Sequence, residues 1–487
     1  MSEQRQVTEN AGGYSKSRLM GLFLGAGFLL MTVFLSPPAS MSLEAWSALG
    51  LMLLMATWWS TEAIPIPATA LLPVVLVPGL GLGSISQASS PYAHPIIFLF
   101  LGGFTLGLAM QRWNLHRRIA LMTLKAVGNE PKRQIAGFML ATAFLSMWVS
   151  NTATAIMMLP IGLSVIGMMG NGQSENVQRY ATALLLAIAY SASIGGIATL
   201  IGTPPNALLA AYLNETQGIS VGFAQWMLLG VPVALVMLGL IWWWLTRKDF
   251  GLIAQEGAGQ AIRDELSALG PMGRGEKLVA LVFVLTASAW VFRPLILASI
   301  APWLTDTGIA ISAAIAMFII PVDTRRQIFL LDWDTAKGIP WGVLLLFGGG
   351  LAMAGVISSS GLADWIAASM GVASALPVVV MIVLVVAVII FLTEVTSNTA
   401  TAAAFLPLLG ALALSQGASP LLLTVPAAIA ASCAFMMPVA TPPNAIVFSS
   451  GHMKIGDMIR AGFALNIAGI VVVTLLCYLF LDLIFTI

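Results

Sequence analysis

Charge is what this sequence has least of. Only 8% of its 487 residues are Asp, Glu, Lys or Arg, while 59% are hydrophobic. A water-soluble domain of this length is excluded, because its surface could not be covered with polar groups. Cysteine is nearly absent: Cys433 and Cys477 both sit in apolar runs, which argues against a disulfide framework or a Cys-based metal site. The three histidines, His94, His116 and His452, are far apart and argue against a His metal cluster. There is no His-Glu-x-x-His or Gly-x-Ser-x-Gly string, and Asp and Glu are scattered, so an enzyme is not expected. A net charge of +1 points to no particular partner, and a nucleic-acid partner is not expected.

What is present is apolar sequence in membrane-length runs. At about 20 residues per helical crossing, the runs give spans near 19–36, 43–62, 65–83, 95–112, 180–212, 221–246, 278–300, 305–322, 340–358, 420–450 and 459–485. Two more apolar segments, 134–170 and 376–415, have room for two half-membrane helices each and are interrupted midway by Ser-Asn-Thr. They read as re-entrant hairpins. The expected fold is an all-α polytopic membrane protein with about eleven transmembrane helices plus two hairpins. Residues 1–18 form a polar tail; the next run lacks a small-x-small cleavage pattern at Ser36-Pro37-Pro38 and reads as a retained first helix.

With the N-terminus placed in the cytoplasm, twenty of the 21 basic residues fall on the cytoplasmic side, Arg293 being the exception. That is the positive-inside pattern, and it puts the C-terminus outside. Lys132, Arg133 and Arg179 flank the first hairpin, whereas no Lys or Arg occurs from Gly338 to Met453. The first hairpin is therefore expected to open to the cytoplasm and the second to the exterior.

The chain also repeats itself. Ser146 to Ala155 (SMWVSNTATA) returns as Thr393 to Ala402 (TEVTSNTATA), with Pro160 and Pro407 in matching places. Phe100 to Gly103 answers Leu346 to Gly349, and Gly202 to Asn206 (GTPPN) answers Ala440 to Asn444 (ATPPN). The expected organisation is an N-terminal repeat over 19–246, a cytoplasmic linker over 247–277 and a C-terminal repeat over 278–487. Repeats of opposite topology with interrupted helices in corresponding places are the signature of a secondary transporter, whose site lies at their interface.

Ser150-Asn151-Thr152 and Ser397-Asn398-Thr399 stand where a helix would otherwise run through lipid. Ser, Asn and Thr compete for backbone hydrogen bonds and favour caps. A half-helix starting at such a tip presents amides and a positive dipole end to an anion, while the half-helix ending there presents carbonyls to a small cation. Polar strings that only pack helices together are the alternative. The two Thr-Pro-Pro-Asn segments interrupt further spans; each is either an ordinary proline kink or an unwound segment facing a tip, with carbonyls freed by the prolines. Glu62 and Glu394 lie in or near apolar spans. Glu394, matched by Met147 in the first repeat, reads equally as a functional group or as a hydrogen-bonded structural one. No Lys or Arg falls near a tip or a Pro-Pro break, so an anionic substrate there would need co-bound cations.

At these residues, and at Trp58 to Pro73 (WWSTEAIPIPATALLP), the chain resembles the divalent anion/sodium symporter family, solute carrier family 13, along essentially its whole length. The resemblance implies a homodimer with a fixed scaffold domain and a transport domain that moves elevator-fashion. It implies substrate contacts at Ser150, Asn151, Thr152, Thr203, Ser397, Asn398, Thr399, Thr441 and Pro442. It also implies one sodium at Ser146, Val149, Ser150, Asn151 and Gly202, and a second at Thr393, Thr396, Asn398 and Ala440. Thr399 matches the dicarboxylate-preferring pattern.

The expected function is sodium-coupled import of succinate, fumarate or malate, with at least two sodium ions, in the lipid of a bacterial inner membrane. A sodium-independent di- or tricarboxylate exchanger, a sulfate carrier and an anion channel are the alternatives.

Overall fold

Proline and small polar residues decide where this apolar chain can stay helical. In the computed structural model, residues 16–38, 40–169, 174–252, 256–369 and 376–485 are described. Most of the tail expected over 1–18, with Arg5, lies outside them, as does Gly170 at the end of the first hairpin segment. Among the described residues, nine helices are long and apolar enough to cross a membrane. The only strands among them, Pro321–Asp323 and Ile328–Phe329, form an antiparallel pair in a polar connection.

The expected span 65–83 is not one helix. Prolines at the start of each piece divide it into Ile66–Thr69 and Leu72–Gly79, since proline suits a first turn and not a helix interior. The run 305–322 holds a 14-residue helix, Asp306–Ile319.

The two segments with central Ser-Asn-Thr strings are paired helices. The first is Pro131–Ser146 followed by Asn151–Met168, and the second is Val378–Thr393 followed by Asn398–Ser415. With 16 and 18 residues, the arms of the first run about 24 and 27 Å. Together the arms fill most of the apolar segments 134–170 and 376–415. Pro131 starts the first arm within polar sequence.

The Thr-Pro-Pro-Asn segments do break their helices, and the break falls in the turn before the prolines, where the ring would clash. Glu175–Ile197 ends before the motif and Pro204–Gln217 begins on its first proline; likewise Leu421–Ala430 ends well before Pro442–Phe448. The prolines occupy N1 and N2, where a missing N–H leaves no bond unmade. The unwound residues are 198–203 and 431–441, on the N-terminal side of the prolines.

Glu175–Ile197 is the central column. It packs against Pro131–Ser146, Asn151–Met168, Phe223–Thr246 and Pro442–Phe448, and 94% of its apolar window is buried. Small residues allow this crowding: a Cβ on Gly195 would collide with the backbone of Ala143.

The linker over 247–277 contains a helix, Glu256–Ala268, that packs on Leu115–Val127 and Asn151–Met168. Arg117 pairs with Glu265 there. Beside it, the Arg118 guanidinium meets Glu276 through Nε and, at 3.1 Å, through Nη2, with side chains 13% and 7% exposed.

Candidate functional site

In the first half the helix restarts at Asn151, and the Ser150 hydroxyl caps it by accepting from Ala153 N at 3.3 Å. Ser146, buried in the last turn of the preceding arm, has its Oγ 2.5 Å from Ala192 O and 2.6 Å from the Asn151 amide. The inward amide atom of Asn151 lies 2.6 Å from Ser146 Oγ, 3.1 Å from Ala192 O and 3.2 Å from Gly202 O. With nitrogen inward, the two amide hydrogens of Asn151 face these three acceptors and the cluster closes on itself. With oxygen inward, four oxygens converge with only the Ser146 hydroxyl hydrogen between them, an arrangement that a cation would satisfy. The donor set is therefore suited to a small hard ion.

The neighbouring unwound segment is held from two sides. Thr199 Oγ1 donates to Met147 O at 2.6 Å. Asn206 Nδ2 donates to Thr199 O at 2.8 Å, Gly196 O at 3.2 Å and Ile197 O at 3.3 Å. Gly196 and Gly202 touch back to back; a Cβ on either would enter the other's carbonyl.

The second half repeats this construction. Thr393 Oγ1 lies 2.7 Å from Asn398 Oδ1 and 3.2 Å from Ala431 O. Thr396 Oγ1 meets Leu392 O at 2.9 Å and Thr401 Oγ1 at 2.7 Å. Asn444 Nδ2 donates to Met437 O at 3.1 Å and Ala434 O at 3.2 Å, and Thr441 Oγ1 accepts from Asn444 N at 3.3 Å.

Ser146, Val149, Gly202, Thr203, Thr393, Ala440 and Thr441 are buried. Ser150, Asn151, Thr152, Thr396, Ser397, Asn398 and Thr399 are partly exposed, and Pro442 is exposed. The tips thus face accessible space while the residues behind them are sealed.

The two halves interlock. Asn151–Met168 packs on Pro442–Phe448, and Asn398–Ser415 packs on Pro204–Gln217. Thr203 Oγ1 and Ser432 Oγ are 3.4 Å apart, and Tyr190 Oη donates to Phe435 O at 2.8 Å. Among the described residues, no hydrogen bond at either cluster involves Lys or Arg. Two hollows of about 300 and 330 Å³ lie elsewhere, at helix ends.

Glu394 accepts from backbone amides of the broken segment and from Asn466; Glu62 pairs with Arg18 at 2.9 Å on the exposed surface. Ala192 and Ala431 join the clusters through carbonyls and carry no side-chain signal in the sequence. Asn206 and Asn444 do carry one, their polarity inside apolar runs.

A family model described as the sodium:sulfate symporter transmembrane region matches residues 16–487. The chain belongs to this family. It is a membrane transport protein rather than an enzyme. Its relatives include the sodium-dependent dicarboxylate transporter SdcS of Staphylococcus saprophyticus, 42% identical over 475 residues that cover 96% of this chain and 92% of the relative. SdcS proteins of Staphylococcus aureus strains bovine RF122 and USA300 are each 44% identical, covering 96% of this chain and 91% of theirs. Among solved structures, the Alcanivorax borkumensis YdaH transporter superposes with a TM-score of 0.59 at 13% identity, over 96% of this chain and 99% of that one. Neisseria gonorrhoeae MtrF gives 0.59 at 11% identity, over 98% and 97%. These two likenesses concern the fold alone.

Proposed function

We propose that this protein is a sodium-coupled symporter that imports C4-dicarboxylates such as succinate, fumarate and malate. The observation that carries the reading is the pair of oxygen clusters, each built where a polar string meets a broken helix, with no basic side chain hydrogen-bonded at either. A dianion at such tips needs cations to offset its charge. The sodium-dependent dicarboxylate relatives supply the chemistry of both partners.

One sodium binds at Ser146, Val149, Ser150, Asn151 and Gly202, with Ala192 O as a further ligand. The second binds at Thr393, Thr396, Asn398 and Ala440, with Ala431 O. Substrate carboxylates meet Ser150, Asn151, Thr152, Ser397, Asn398 and Thr399, flanked by Thr203, Thr441 and Pro442. Sodium binds first: it turns the Asn151 oxygen inward, so that its amide nitrogen and the N-terminal amides of the 18-residue helices Asn151–Met168 and Asn398–Ser415 are presented to the anion. The halves run in opposite directions through the inner membrane, with the N-terminus in the cytoplasm and the C-terminus outside. The protein is a homodimer whose hairpins travel with an elevator-type transport domain.

The test is uptake of labelled succinate into proteoliposomes with an inward sodium gradient against choline. Sodium-dependent, saturable and concentrative uptake is expected. Uptake indifferent to sodium overturns symport and supports exchange. The family's sulfate description gives a second reading, which full inhibition of uptake by sulfate, with none by fumarate, would favour.

A further inference from the structure

Glu394 is only 3% exposed, yet both carboxylate oxygens receive hydrogen bonds. Oε1 accepts from Phe435 N at 2.7 Å, Met436 N at 2.9 Å and Asn466 Nδ2 at 2.7 Å; Oε2 accepts from Met436 N at 3.1 Å and Met437 N at 2.9 Å. Every partner is a donor, so the ionised group fits, and a protonated carboxyl would aim its own hydrogen at an N–H. No ion pair among the described residues includes Glu394, and no Lys or Arg occurs from Gly338 to Met453. The site therefore holds a buried anion offset by amide dipoles alone.

The first half has no equivalent. Met147 stands at the matching position, with no carboxylate to offer; its carbonyl accepts from Thr199 and its amide donates to Ala143 O at 3.1 Å. The difference follows from where the central helices stop. Glu175–Ile197 keeps the amides of Ile197 and Ala198 in helical bonding, Ala198 N reaching Gly195 O at 3.1 Å. Leu421–Ala430 ends earlier and leaves the corresponding amides of Phe435 and Met436 free for a carboxylate.

We infer that Glu394 is a fixed anion that positions the second broken segment and makes the second cation site bind sodium more tightly than the first. This rests on the two sodium sites proposed above. Thr393, whose hydroxyl is on Ala431 O and Asn398 Oδ1, adjoins Glu394 with Cα atoms about 3.8 Å apart. In surroundings of low dielectric, a carboxylate that no ion pair among the described residues cancels raises the affinity of a neighbouring site for a cation. The same carboxylate draws the amides of 435–437 to itself and fixes the segment that carries the Ala431 and Ala440 carbonyls. Two sites with like oxygen sets thus sit in unlike fields.

The test reads sodium binding without substrate, as the sodium concentration giving half the thermal stabilisation of the purified full-length protein at constant ionic strength with choline. Glu394→Gln is expected to raise that concentration roughly tenfold, the scale of a lost buried charge. Asn466→Leu, which removes one hydrogen bond and no charge, is expected to lower the melting temperature in choline and leave the sodium midpoint within about twofold. An unshifted midpoint in Glu394→Gln overturns the inference, as does an equal shift in both variants. If Glu394→Gln does not fold, Thr393→Val and Ser146→Ala decide: the inference expects the larger rise from Thr393→Val, and equal or reversed rises overturn it. A wild type that sodium does not stabilise removes the symport reading as well, whereas a stabilised wild type with an unshifted Glu394→Gln removes only this one.

Discussion

Asn206 and Asn444 hold their chains in the same way: each amide nitrogen donates to carbonyls seven and ten residues earlier, Thr199 and Gly196 in one case, Met437 and Ala434 in the other. Each fastens an unwound segment to the first turn of the helix that follows it. Backbone carbonyls at membrane depth need such partners, because no lipid group can supply one.

Replacing either asparagine by Ala leaves those carbonyls unpaired, at about 1–3 kcal/mol for each buried group. Asn206→Ala and Asn444→Ala are each expected to cut sodium-dependent succinate uptake by roughly tenfold or more. Asn206→Asp, similar in shape but unable to donate when ionised, is expected to fail as badly. Uptake at wild-type level in Asn206→Asp would show that the brace is dispensable.

At the tips the expectation is stricter. Under the proposed function, Asn151→Ala and Asn398→Ala each remove a side chain that meets both an ion and a carboxylate. Both proteins are expected to elute as folded material from size exclusion and to show no uptake above empty liposomes. Activity in both would refute a site shared between the two strings.

Space makes a further prediction at Gly202, where a Cβ would run into the Gly196 carbonyl. Backbone cannot retreat there as a flexible side chain could, so Gly202→Ala is expected to abolish sodium stabilisation. Gly239→Ala, with nothing within 4 Å, serves as the control and is expected to melt at or slightly above the wild-type temperature, since Ala favours a helix over Gly by roughly 1 kcal/mol. Equal behaviour of the two variants would count against the close contact.

Much of this site was legible in the sequence because it breaks a strong background. Ser150-Asn151-Thr152 stands out in a segment that is otherwise apolar, and its return at Ser397 rules out accident. The helix breaks before the prolines were legible too, but the restart was not: proline marks the start of a helix as readily as the end of one, and only the structure places Pro204 and Pro442 at N1. Ala192 and Ala431 were invisible because a carbonyl has no residue type. The helix Glu256–Ala268 was hidden in polar sequence; its apolar side, with Ala261 and Ile262 buried, is too short to stand out from the linker around it.

Away from the site, Arg118 and Glu276 give a test of packing. Removing one member of a buried pair leaves the other charge unmatched, which costs about 3–5 kcal/mol. Glu276→Leu is expected to lower the melting temperature sharply, and Arg118→Met combined with Glu276→Leu to recover most of it. A double variant as unstable as the single would mean that the pair's contribution is not electrostatic.

The crossed packing of Asn151–Met168 on Pro442–Phe448, and of Asn398–Ser415 on Pro204–Gln217, bears on how such a chain could have arisen. A half-length ancestor would have owned both kinds of helix without these particular contacts between them. A second copy would have supplied them. Joining two copies end to end would replace a bimolecular encounter with a tethered one and free each copy to drift on its own, and in this chain one half carries Met147 where the other carries Glu394.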